Sequence, residues 1–435
     1  MNKTRETYVF GFAIFAAFFG AGNLILPPLL GFNAGVDWWL VALGFVLSAV
    51  VIPLAALLAH ARLQGTMLDF GNKVSPLFSL LFSLCIYIIA VLLPVPRTAA
   101  VTHEMAIEPF FGTGSLLTSS VYFTLVFLFA LNRGKVLDVL GKYLTPIIVI
   151  ILLFIIGVGV FSGSEDIRLV TIDSPFLNGF FEGYQTYDAI AGLLTGGVVV
   201  ISLNLKGYTS FNDKRIVIVR SGCIAMFCLL IIYLGLIYLG ATLNVELPYQ
   251  ISRSELLQEI AKRTLGKFGN ISLSVLMSLA CFTTAVAVIV GTADFFQGLF
   301  KKSKHVYVFM VLVFCLIGVF IGQLDVSYII DVALPVLMIA YPIMIVLIFL
   351  NIIPPKWASN VVFKAVIVVT IMFSLLDVLS SDNVTTWLKT LLEEIPFSSF
   401  NLGWLLPSMA TFMIVNVSLK VKEKYFMLKP TQLPN

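Results

Sequence analysis

The residues Phe18-Phe19-Gly20-Ala21-Gly22-Asn23 interrupt an apolar run that extends over residues 8–30. Two glycines beside an asparagine disfavour a continuous helix, because glycine costs roughly 1 kcal/mol relative to alanine in a helix interior. At membrane depth the freed backbone groups need partners, so a break persists only beside a cavity or within protein. We therefore expect a helix that is broken at its middle, interrupted again at Pro27-Pro28, and adjacent to a ligand. Close helix packing through small residues is the alternative.

The composition of the whole chain indicates a membrane protein. Of its 435 residues, 59% are hydrophobic and 11% are charged, whereas a soluble domain carries about 25% charged residues. Apolar runs of about 20 residues, the length that spans a hydrocarbon core, recur from end to end. These features exclude a water-soluble enzyme and predict an all-α polytopic membrane protein with about 12 transmembrane helices. The spans are expected at 8–30, 38–59, 77–95, 116–131, 143–162, 177–203, 216–240, 271–298, 306–322, 327–350, 361–380 and 402–419.

The positions of the basic residues predict the orientation. Of the 27 lysine and arginine residues, twenty lie in the terminal segments or in the connections on the same side as the termini. Because positively charged connections stay in the cytoplasm, both termini are expected to be cytoplasmic. The first run follows Lys3 and Arg5 as in a signal peptide, but it is too long for one and lacks a cleavage site. Scattered basic residues also argue against a nucleic-acid partner.

Several kinds of chemistry are not indicated. The five cysteines lie inside apolar runs without a CxxC pair, and the three histidines are far apart, so neither a disulfide framework nor a zinc or haem site is expected. No constellation of histidine, aspartate or serine converges at one interface, as a membrane enzyme would require. No polar stripe runs through several helices, as a channel would require. We therefore expect neither an enzyme nor a bound cofactor.

The connection over residues 241–270 contains an amphipathic segment. In the stretch Ser254-Glu-Leu-Leu-Gln-Glu-Ile-Ala-Lys-Arg, residues Leu256, Leu257, Ile260 and Ala261 share one helical face. The segment is expected to form a short helix outside the membrane. It could act as a lid over an access path or lie on the membrane surface, and the sequence does not separate the two.

A second break is expected in the sixth span, at Glu182-Gly-Tyr-Gln-Thr-Tyr-Asp188. Ionisable residues within a span usually mark a functional site or a water-filled cavity. Glu182 could still lie at the outer interface, so Asp188 is the stronger indication.

The two breaks occupy corresponding places if the first ten helices form two sets of five. Because five is odd, the sets run through the membrane in opposite senses, which gives an inverted repeat. We therefore predict a transporter core over residues 1–350, with repeats at 8–162 and 177–350. Residues 351–435 are expected to hold two accessory helices and a C-terminal tail.

The eighth span presents oxygen atoms on one face. Ala280, Thr283 and Thr284 are spaced i, i+3 and i+4. The Ala280 carbonyl and the two hydroxyls could bind a hard cation such as sodium, together with carbonyls from the broken first span. Alternatively, both hydroxyls bond back to carbonyls of their own helix, which the spacing alone favours.

Four motifs together resemble the bacterial branched-chain amino acid:cation symporter family. They are Phe19-Gly-Ala-Gly-Asn-Leu-Ile-Leu-Pro-Pro, Pro94-Val-Pro-Arg-Thr-Ala-Ala, Glu182-Gly-Tyr-Gln-Thr-Tyr-Asp-Ala and Cys281-Phe-Thr-Thr-Ala-Val. The resemblance covers nearly the whole chain and implies a LeuT-type fold with helices 1 and 6 broken. It also implies import of leucine, isoleucine or valine into bacteria with sodium, or alternatively protons, across the inner membrane. The second candidate is a proton-coupled amino acid permease of other specificity. Beyond the lipid bilayer, no protein partner is implied.

The resemblance also implies particular site residues. The free backbone of the first break would face the substrate carboxylate, and carbonyls near the second would take its ammonium group; the expected substrate-binding residues are Phe18, Gly20, Ala21, Gly22, Asn23, Tyr184, Thr186, Tyr187, Asp188 and Phe282. Similarity to sodium-coupled members of the superfamily assigns one Na⁺ to Ala16, Phe19, Ala280, Thr283 and Thr284. If the coupling ion is a proton, Asp188 would carry it. Arg97 is expected near the outer end of the third span as a gate contact, paired with Glu104, Glu108 or Glu182.

Overall fold

The computed structural model describes residues 3–131, 136–161, 167, 169, 172–243, 251–300, 303–381 and 395–427. Across these ranges the regular structure is helical, without strands, which confirms the all-α prediction. Among the described residues, eight segments are long and apolar enough to cross a membrane, and three shorter apolar helices accompany them. Each of the expected spans coincides with a helix or with a pair of helical segments.

The helices of the first half of the chain are α1 (Lys3–Phe18), α2 (Ala21–Ala34), α3 (Trp38–Val46), α4 (Ile52–Leu63), α5 (Met67–Phe70), α6 (Pro76–Leu92), α7 (Pro94–Thr102), α8 (Glu108–Phe111), α9 (Ser115–Leu131) and α10 (Val136–Phe161). Short π-helical segments join α3 to α4 at Leu47–Val51 and α7 to α8 at His103–Ile107. The helices of the second half are α11 (Pro175–Tyr184), α12 (Asp188–Leu205), α13 (Phe211–Thr242), α14 (Arg253–Leu299), α15 (Lys304–Gly322), α16 (Val326–Ile352), α17 (Asn360–Ser381) and α18 (Leu405–Met427).

The chain divides into two compact units, Met1–Gln64 with Leu84–Leu334 and Gly65–Ser83 with Pro335–Asn435. In the first unit, α1 and α2 pack against α13, α11 packs against α3, and α12 packs against α4. Helix α14 packs against α7, α10 and α15 in the same unit. In the second unit, α17 packs against α18. This division by packing does not describe a repeat symmetry, so the domain boundary at residue 350 stays a prediction.

The first expected break is present, but it is shorter than the glycine motif suggested. Helix α1 ends at Phe18 and α2 begins at Ala21, so only Phe19 and Gly20 lie between them. Gly20 is extended, with φ −127° and ψ −170°, and its N–H donates to Oδ1 of Asn23 at 2.9 Å. Ala21 to Asn23 are therefore the first turn of a new helix, not part of an unwound stretch, because the Asn23 side chain satisfies the backbone just before it.

The two prolines do not end α2, contrary to the expectation of a second interruption. Pro27 and Pro28 lie inside the helix, which continues to Ala34. Each proline lacks an N–H, so the carbonyls of Asn23 and Leu24 lose their helical donors. Helix α2 thus has free amides at its first turn and additional free carbonyls from the residues before the prolines.

Close helix contacts in the first unit depend on glycines. A Cβ placed on Gly44 of α3 would lie 1.9 Å from the carbonyl oxygen of Phe176, and one on Gly179 of α11 would lie 2.0 Å from that of Val41. Gly31 of α2 and Gly240 of α13 approach their partner backbones in the same way. Here the small residues do bring backbones together, as the packing alternative supposes.

Helix α14 combines the amphipathic segment of the sequence with the eighth span. Its N-terminus is capped by Ser252, whose Oγ accepts from the Glu255 N–H while the Ser252 N–H donates to the Glu255 carboxylate. These bonds hold the pKa of Glu255 below its usual value. A kink follows at Gly266, where φ is +66°, a conformation that glycine adopts without steric cost.

The segment before this kink, residues 253–265, is the connection helix. Its apolar face, formed by Leu256, Leu257, Ile260 and Ala261, is at most 2% exposed. Since that face is covered by protein, the connection helix does not use it to lie on a membrane surface. The lid interpretation stays a prediction.

The beginning of α1 is tied to the segment around the start of α13. Nζ of Lys3 lies 2.7 Å from Asp213, and Lys206 forms an ion pair with Glu6. In addition, the Ser221 hydroxyl donates to the Thr7 carbonyl at 2.9 Å. These contacts join α1 to the end of α12 and to the first part of α13.

The glycine contact between α3 and α11 gives a test of the fold. We expect Gly44→Ala to lower the melting temperature of the detergent-purified protein, because a methyl group would force two backbones apart; such overpacking costs about 1–3 kcal/mol. Gly157→Ala is the matched control, since nothing lies within 4 Å of a Cβ at that helical position. A Gly44→Ala protein that melts at or above the wild-type temperature would contradict this packing.

Candidate functional site

The second break lies between α11 and α12, at Gln185, Thr186 and Tyr187, which belong to neither helix. Tyr187 has a φ of +62°, which costs a non-glycine residue about 1–2 kcal/mol. The Thr186 hydroxyl donates to the Gly183 carbonyl at 2.8 Å and accepts from the Asp188 N–H at 3.2 Å. These side-chain bonds replace part of the missing helical ladder and fix where α12 begins.

A hydrogen-bonded group of three side chains connects the two breaks. Nδ2 of Asn23 donates to both carboxylate oxygens of Asp188, at 2.9 and 3.1 Å. The hydroxyl of Tyr233 on α13 donates to Oδ2 of Asp188 at 2.5 Å, and Asn23 also donates to that hydroxyl. All three side chains are buried. Because Asn23 begins α2 and Asp188 begins α12, the bonds hold two helix N-termini side by side.

The electrostatics of this arrangement favour anions near the breaks. Helix N-termini carry about half a positive charge, and their first-turn amides have no partner within the helix. The Asp188 carboxylate lies in the first turn of α12, where that charge stabilises it. The first turn of α2, from Ala21 to Asn23, offers a second set of amides to a ligand. The site can therefore bind a group that carries both charges.

Arg97 lies at this site and does not form the expected gate contact. Its side chain belongs to α7 and is 2% exposed. Nη1 donates to the Gln185 carbonyl at 2.8 Å, and the guanidinium lies 4.8 Å from the centre of the Tyr187 ring. A Cβ on Gly22 would lie 2.2 Å from Nη2. Arg97 thus reaches inward to both breaks, because the helix of the Pro94–Thr102 segment carries it there.

Glu182 and Glu104, two of the expected ion-pair partners of Arg97, bind the connection helix instead. Glu182 pairs with Arg253 at 2.9 Å, and the Ser254 hydroxyl donates to Glu104 at 2.5 Å. Gln258 donates to the carbonyls of Glu104 and Met105. The connection helix is therefore bound to α11, the first half of the sixth span, and to the segment that follows α7. Glu108, the third candidate, lies 4.0 Å from His103.

The aromatic residues expected around the substrate separate into two groups. Phe18 and Tyr184 are buried at the ends of α1 and α11, and Tyr187 lies under Arg97. Phe282, by contrast, contacts the rings of Tyr122 and Phe129 on α9 at 5.8 and 5.2 Å. The position follows from helix geometry, since Phe282 lies two residues before Thr284 and so points to a different face.

Two of the oxygens expected to bind sodium, those of Thr284 and Phe19, lie together at the first break. The Thr284 hydroxyl is 3.5 Å from the Phe19 carbonyl oxygen, and a Cβ on Gly20 would lie 3.6 Å from that hydroxyl. The last four carbonyls of α1, which include that of Ala16, have no partner within the helix. These oxygens are neutral, as suits sodium; the described residues contain no cluster of three metal-binding His, Cys, Asp or Glu side chains.

Thr283 forms the alternative bond considered above, which is a hydrogen bond to its own helix. Its hydroxyl donates to the Ala280 carbonyl of the same helix at 2.9 Å. This bond occupies one lone pair of Ala280 and leaves the oxygen of Thr283 as an acceptor. The assignment of Ala280 and Thr283 to a cation stays a prediction, while Thr284 is the hydroxyl that lies against the break.

Three residues that lie at the site were not predicted to be part of it: Arg97, Gln185 and Tyr233. An arginine within an apolar span is itself a signal of function, but its neighbouring prolines suggested an outer, interfacial position. Tyr233 is one of several tyrosines in apolar helices, and nothing in the sequence distinguishes it. Gln185 lies inside the quoted motif and was overlooked beside the ionisable Asp188.

Comparison with known proteins agrees with this geometry. The family model described as "Branched-chain amino acid transport protein" matches residues 3–422. The branched-chain amino acid transport system 2 carrier protein of Pseudomonas aeruginosa is 34% identical over 416 residues, which cover 93% of this chain and 94% of that protein.

Solved structures of transporters share the fold at low sequence identity. The inward-facing structure of Mhp1 matches with a TM-score of 0.62 and 9% identity, covering 96% of this chain and 91% of that one. The manganese transporter of Eremococcus coleocola matches with a TM-score of 0.57 and 12% identity, covering 95% and 94%. These matches establish the LeuT-type fold. The chain is a multi-pass membrane transporter, not an enzyme, and it belongs to the branched-chain amino acid transport protein family.

Proposed function

We propose that the protein imports leucine, isoleucine or valine across the bacterial cytoplasmic membrane, in symport with one sodium ion. The observation that carries the proposal is the hydrogen bond between Asn23 and Asp188, which brings the N-termini of α2 and α12 together. Free amides, a buried carboxylate and a buried arginine surround this point. Such a site suits a zwitterion, whose transfer out of water is very costly unless both charges are bound.

The branched apolar side chain of the substrate fits the remaining surroundings. The proposal assigns it to the aromatic residues at the breaks, Phe18, Tyr184 and Tyr187, which are all buried. The related carrier of Pseudomonas aeruginosa is named for branched-chain amino acids. Selection among leucine, isoleucine and valine would depend on one methyl or methylene group, which an apolar pocket distinguishes by only about 1–3 kcal/mol. We therefore propose that the transporter accepts all three.

Sodium is the proposed coupling ion because neutral oxygens meet at the first break. The Thr284 hydroxyl and the Phe19 carbonyl come from different helices, and both can turn toward an ion between them. One positive charge that moves inward at 100 mV gains about 2.3 kcal/mol, which corresponds to roughly 50-fold accumulation before any ion gradient is added. A single ion is thus sufficient for useful uptake.

A proton is the second candidate, on the basis of Asp188. Its carboxylate is buried and is the only one bound to both Asn23 and Tyr233 among the described residues. Protonation of the carboxylate would remove an acceptor from Tyr233 and would weaken the connection between α2 and α12. A proton-coupled cycle would therefore use Asp188 itself, whereas sodium coupling would leave it charged.

In the proposed cycle, both termini lie in the cytoplasm and the site opens alternately to each side. The ion pair between Glu182 and Arg253 would hold the connection helix over the outer side. The pairs that tie α1 to the segment around α13 would hold the inner side closed. Rocking of the helices that contain the breaks against α7, α9, α14 and α15 would then release one set of contacts at a time.

Uptake of radiolabelled leucine into proteoliposomes tests the proposal. We expect an inward sodium gradient to drive accumulation above the external concentration, because each substrate enters with a cation, and a proton gradient alone to be ineffective. Vesicles without protein and vesicles with sodium equal on both sides are the controls. Uptake that is the same with and without either gradient would refute symport, and accumulation by the proton gradient alone would favour Asp188 as the carrier of the ion.

The position of Thr284 gives a test of the sodium site. We expect Thr284→Ala to raise the sodium concentration for half-maximal leucine uptake by about tenfold, since loss of one hydrogen-bonding or ligating oxygen costs about 1–2 kcal/mol. Ser278→Ala is the matched control, because its hydroxyl lies on the same helix and donates to its own helix at Ser274. If sodium activation is unchanged in the Thr284 variant, the hydroxyl has only a packing role.

A further inference from the structure

Arg97 is a buried cation that lies between the two helix breaks. Nη1 is bound to the Gln185 carbonyl at the second break. Nη2 points to Gly22 in the first turn of α2, so closely that a Cβ there would lie 2.2 Å away. The face of the guanidinium lies over the Tyr187 ring. The absence of a side chain at position 22 is therefore what admits the guanidinium to the amides of α2.

Part of the hydrogen-bonding capacity around this guanidinium has no partner among the described residues. A guanidinium has five N–H donors and no acceptor. Among the described residues, the Arg97 Nε, the Tyr187 hydroxyl and Oε1 of Gln185 are buried without a partner. Buried polar atoms without partners are rare in native proteins. Buried donors and acceptors that have no protein partner suit a ligand that carries an anionic and a cationic group.

The charge of Arg97 is also not matched by a direct ion pair within the described part of the chain. Glu182 is bound to Arg253, and Glu104 is bound to Ser254 and to the Val326 N–H. Asp188 interacts with Arg97 electrostatically, but its oxygens accept from Asn23 and Tyr233. A buried cation without a hydrogen-bonded counter-ion is costly. A carboxylate brought by the ligand would supply the missing partner.

We propose that Arg97 binds the carboxylate of the amino-acid substrate, next to the first-turn amides of α2. The inference rests on the proposed function and names the side chain that selects α-amino acids over amines and alcohols with the same apolar group. A planar guanidinium matches a carboxylate with two parallel hydrogen bonds. The bond to the Gln185 carbonyl holds the guanidinium in place while Nε and Nη2 face the ligand.

A purely structural role for Arg97 makes a different prediction. If the guanidinium only satisfied the free carbonyl of Gln185, its removal would disturb the second break and would weaken all ligands alike. The two roles are therefore separated by comparing leucine with leucinol. Leucinol keeps the ammonium group and the apolar side chain but replaces the carboxylate by a hydroxymethyl group.

The experiment measures binding of both compounds to the purified full-length protein by isothermal titration in sodium buffer. We expect the wild type to bind leucine more tightly than leucinol. In Arg97→Gln, leucine should bind about 10- to 100-fold more weakly, because a charge-assisted pair is lost, whereas leucinol should change by less than about threefold. Arg97→Lys keeps the charge but cannot form the two parallel hydrogen bonds, so its preference for leucine should be intermediate.

Two further variants complete the design. Gly22→Ala should displace the guanidinium, which is the flexible end of a side chain, and should also reduce the preference for leucine. Arg253→Gln is the matched control, since it removes a largely buried arginine that pairs with Glu182. In this control the ratio of the leucine and leucinol affinities should stay at the wild-type value.

The outcomes distinguish this proposal from the proposed function. A wild-type ratio in Arg97→Gln, with both ligands weakened equally, would overturn the assignment of Arg97 and leave the transport function intact. A wild type that binds no branched-chain amino acid would overturn both. If Arg97→Gln fails to give a monodisperse protein, unchanged ratios in both Arg97→Lys and Gly22→Ala overturn the assignment.

Discussion

The hydrogen bonds that Asp188 accepts from Asn23 and Tyr233 are the interaction on which the site depends. A carboxylate in the interior of a membrane protein is very unfavourable unless it is fully bound. Here the first turn of α12, the amide of Asn23 and the hydroxyl of Tyr233 all stabilise it. Each of the three comes from a different helix. These hydrogen bonds therefore hold α2, α12 and α13 together next to both breaks.

The same principle explains why the helix breaks are short. Free backbone groups in hydrocarbon need partners, so each interruption is reduced to the few residues that side chains can satisfy. At the first break, the Asn23 side chain accepts from the Gly20 N–H. At the second, the Thr186 hydroxyl accepts from the Asp188 N–H, and Arg97 donates to the Gln185 carbonyl. What stays available is the first turn of α2 and the last carbonyls of α1. Those two sets of groups have opposite polarity, and they lie on either side of Gly20.

Much of the fold could be predicted because its determinants are local. Apolar length gives the spans, and Gly20 and Asp188 mark the breaks, since each is locally unfavourable in a membrane helix. The site could be predicted only in part. Arg97 and Tyr233 reach it through the packing of α7 and α13, and no local pattern shows how far a helix carries a side chain inward. The ring of Phe282 packs against α9 for the converse reason, because a residue two positions before Thr284 points to another face of α14.

The sequence allowed its glycines to serve either close helix packing or a helix break, and the structure shows both uses at different positions. Gly44 and Gly179 serve close packing of backbones, whereas Gly20 permits an extended residue between two helices. Gly22 does neither, since it makes room for a guanidinium. The connection helix buries its apolar face against protein and is bound at Glu182 and Glu104. A glycine pattern or an amphipathic pattern thus has a definite meaning only once its neighbour is known.

The contacts at the start of α1 have a consequence for how that helix responds to thermal motion. Lys3, Glu6, Lys206 and Asp213 pair at partly exposed positions, where an ion pair contributes about 0–1 kcal/mol and is screened by salt. Further along the same helix, Ile14 and Phe15 are almost completely buried. Fraying should therefore begin at the amino end and die out within about three turns, so amide deuteration along α1 would form a gradient that steepens as ionic strength rises.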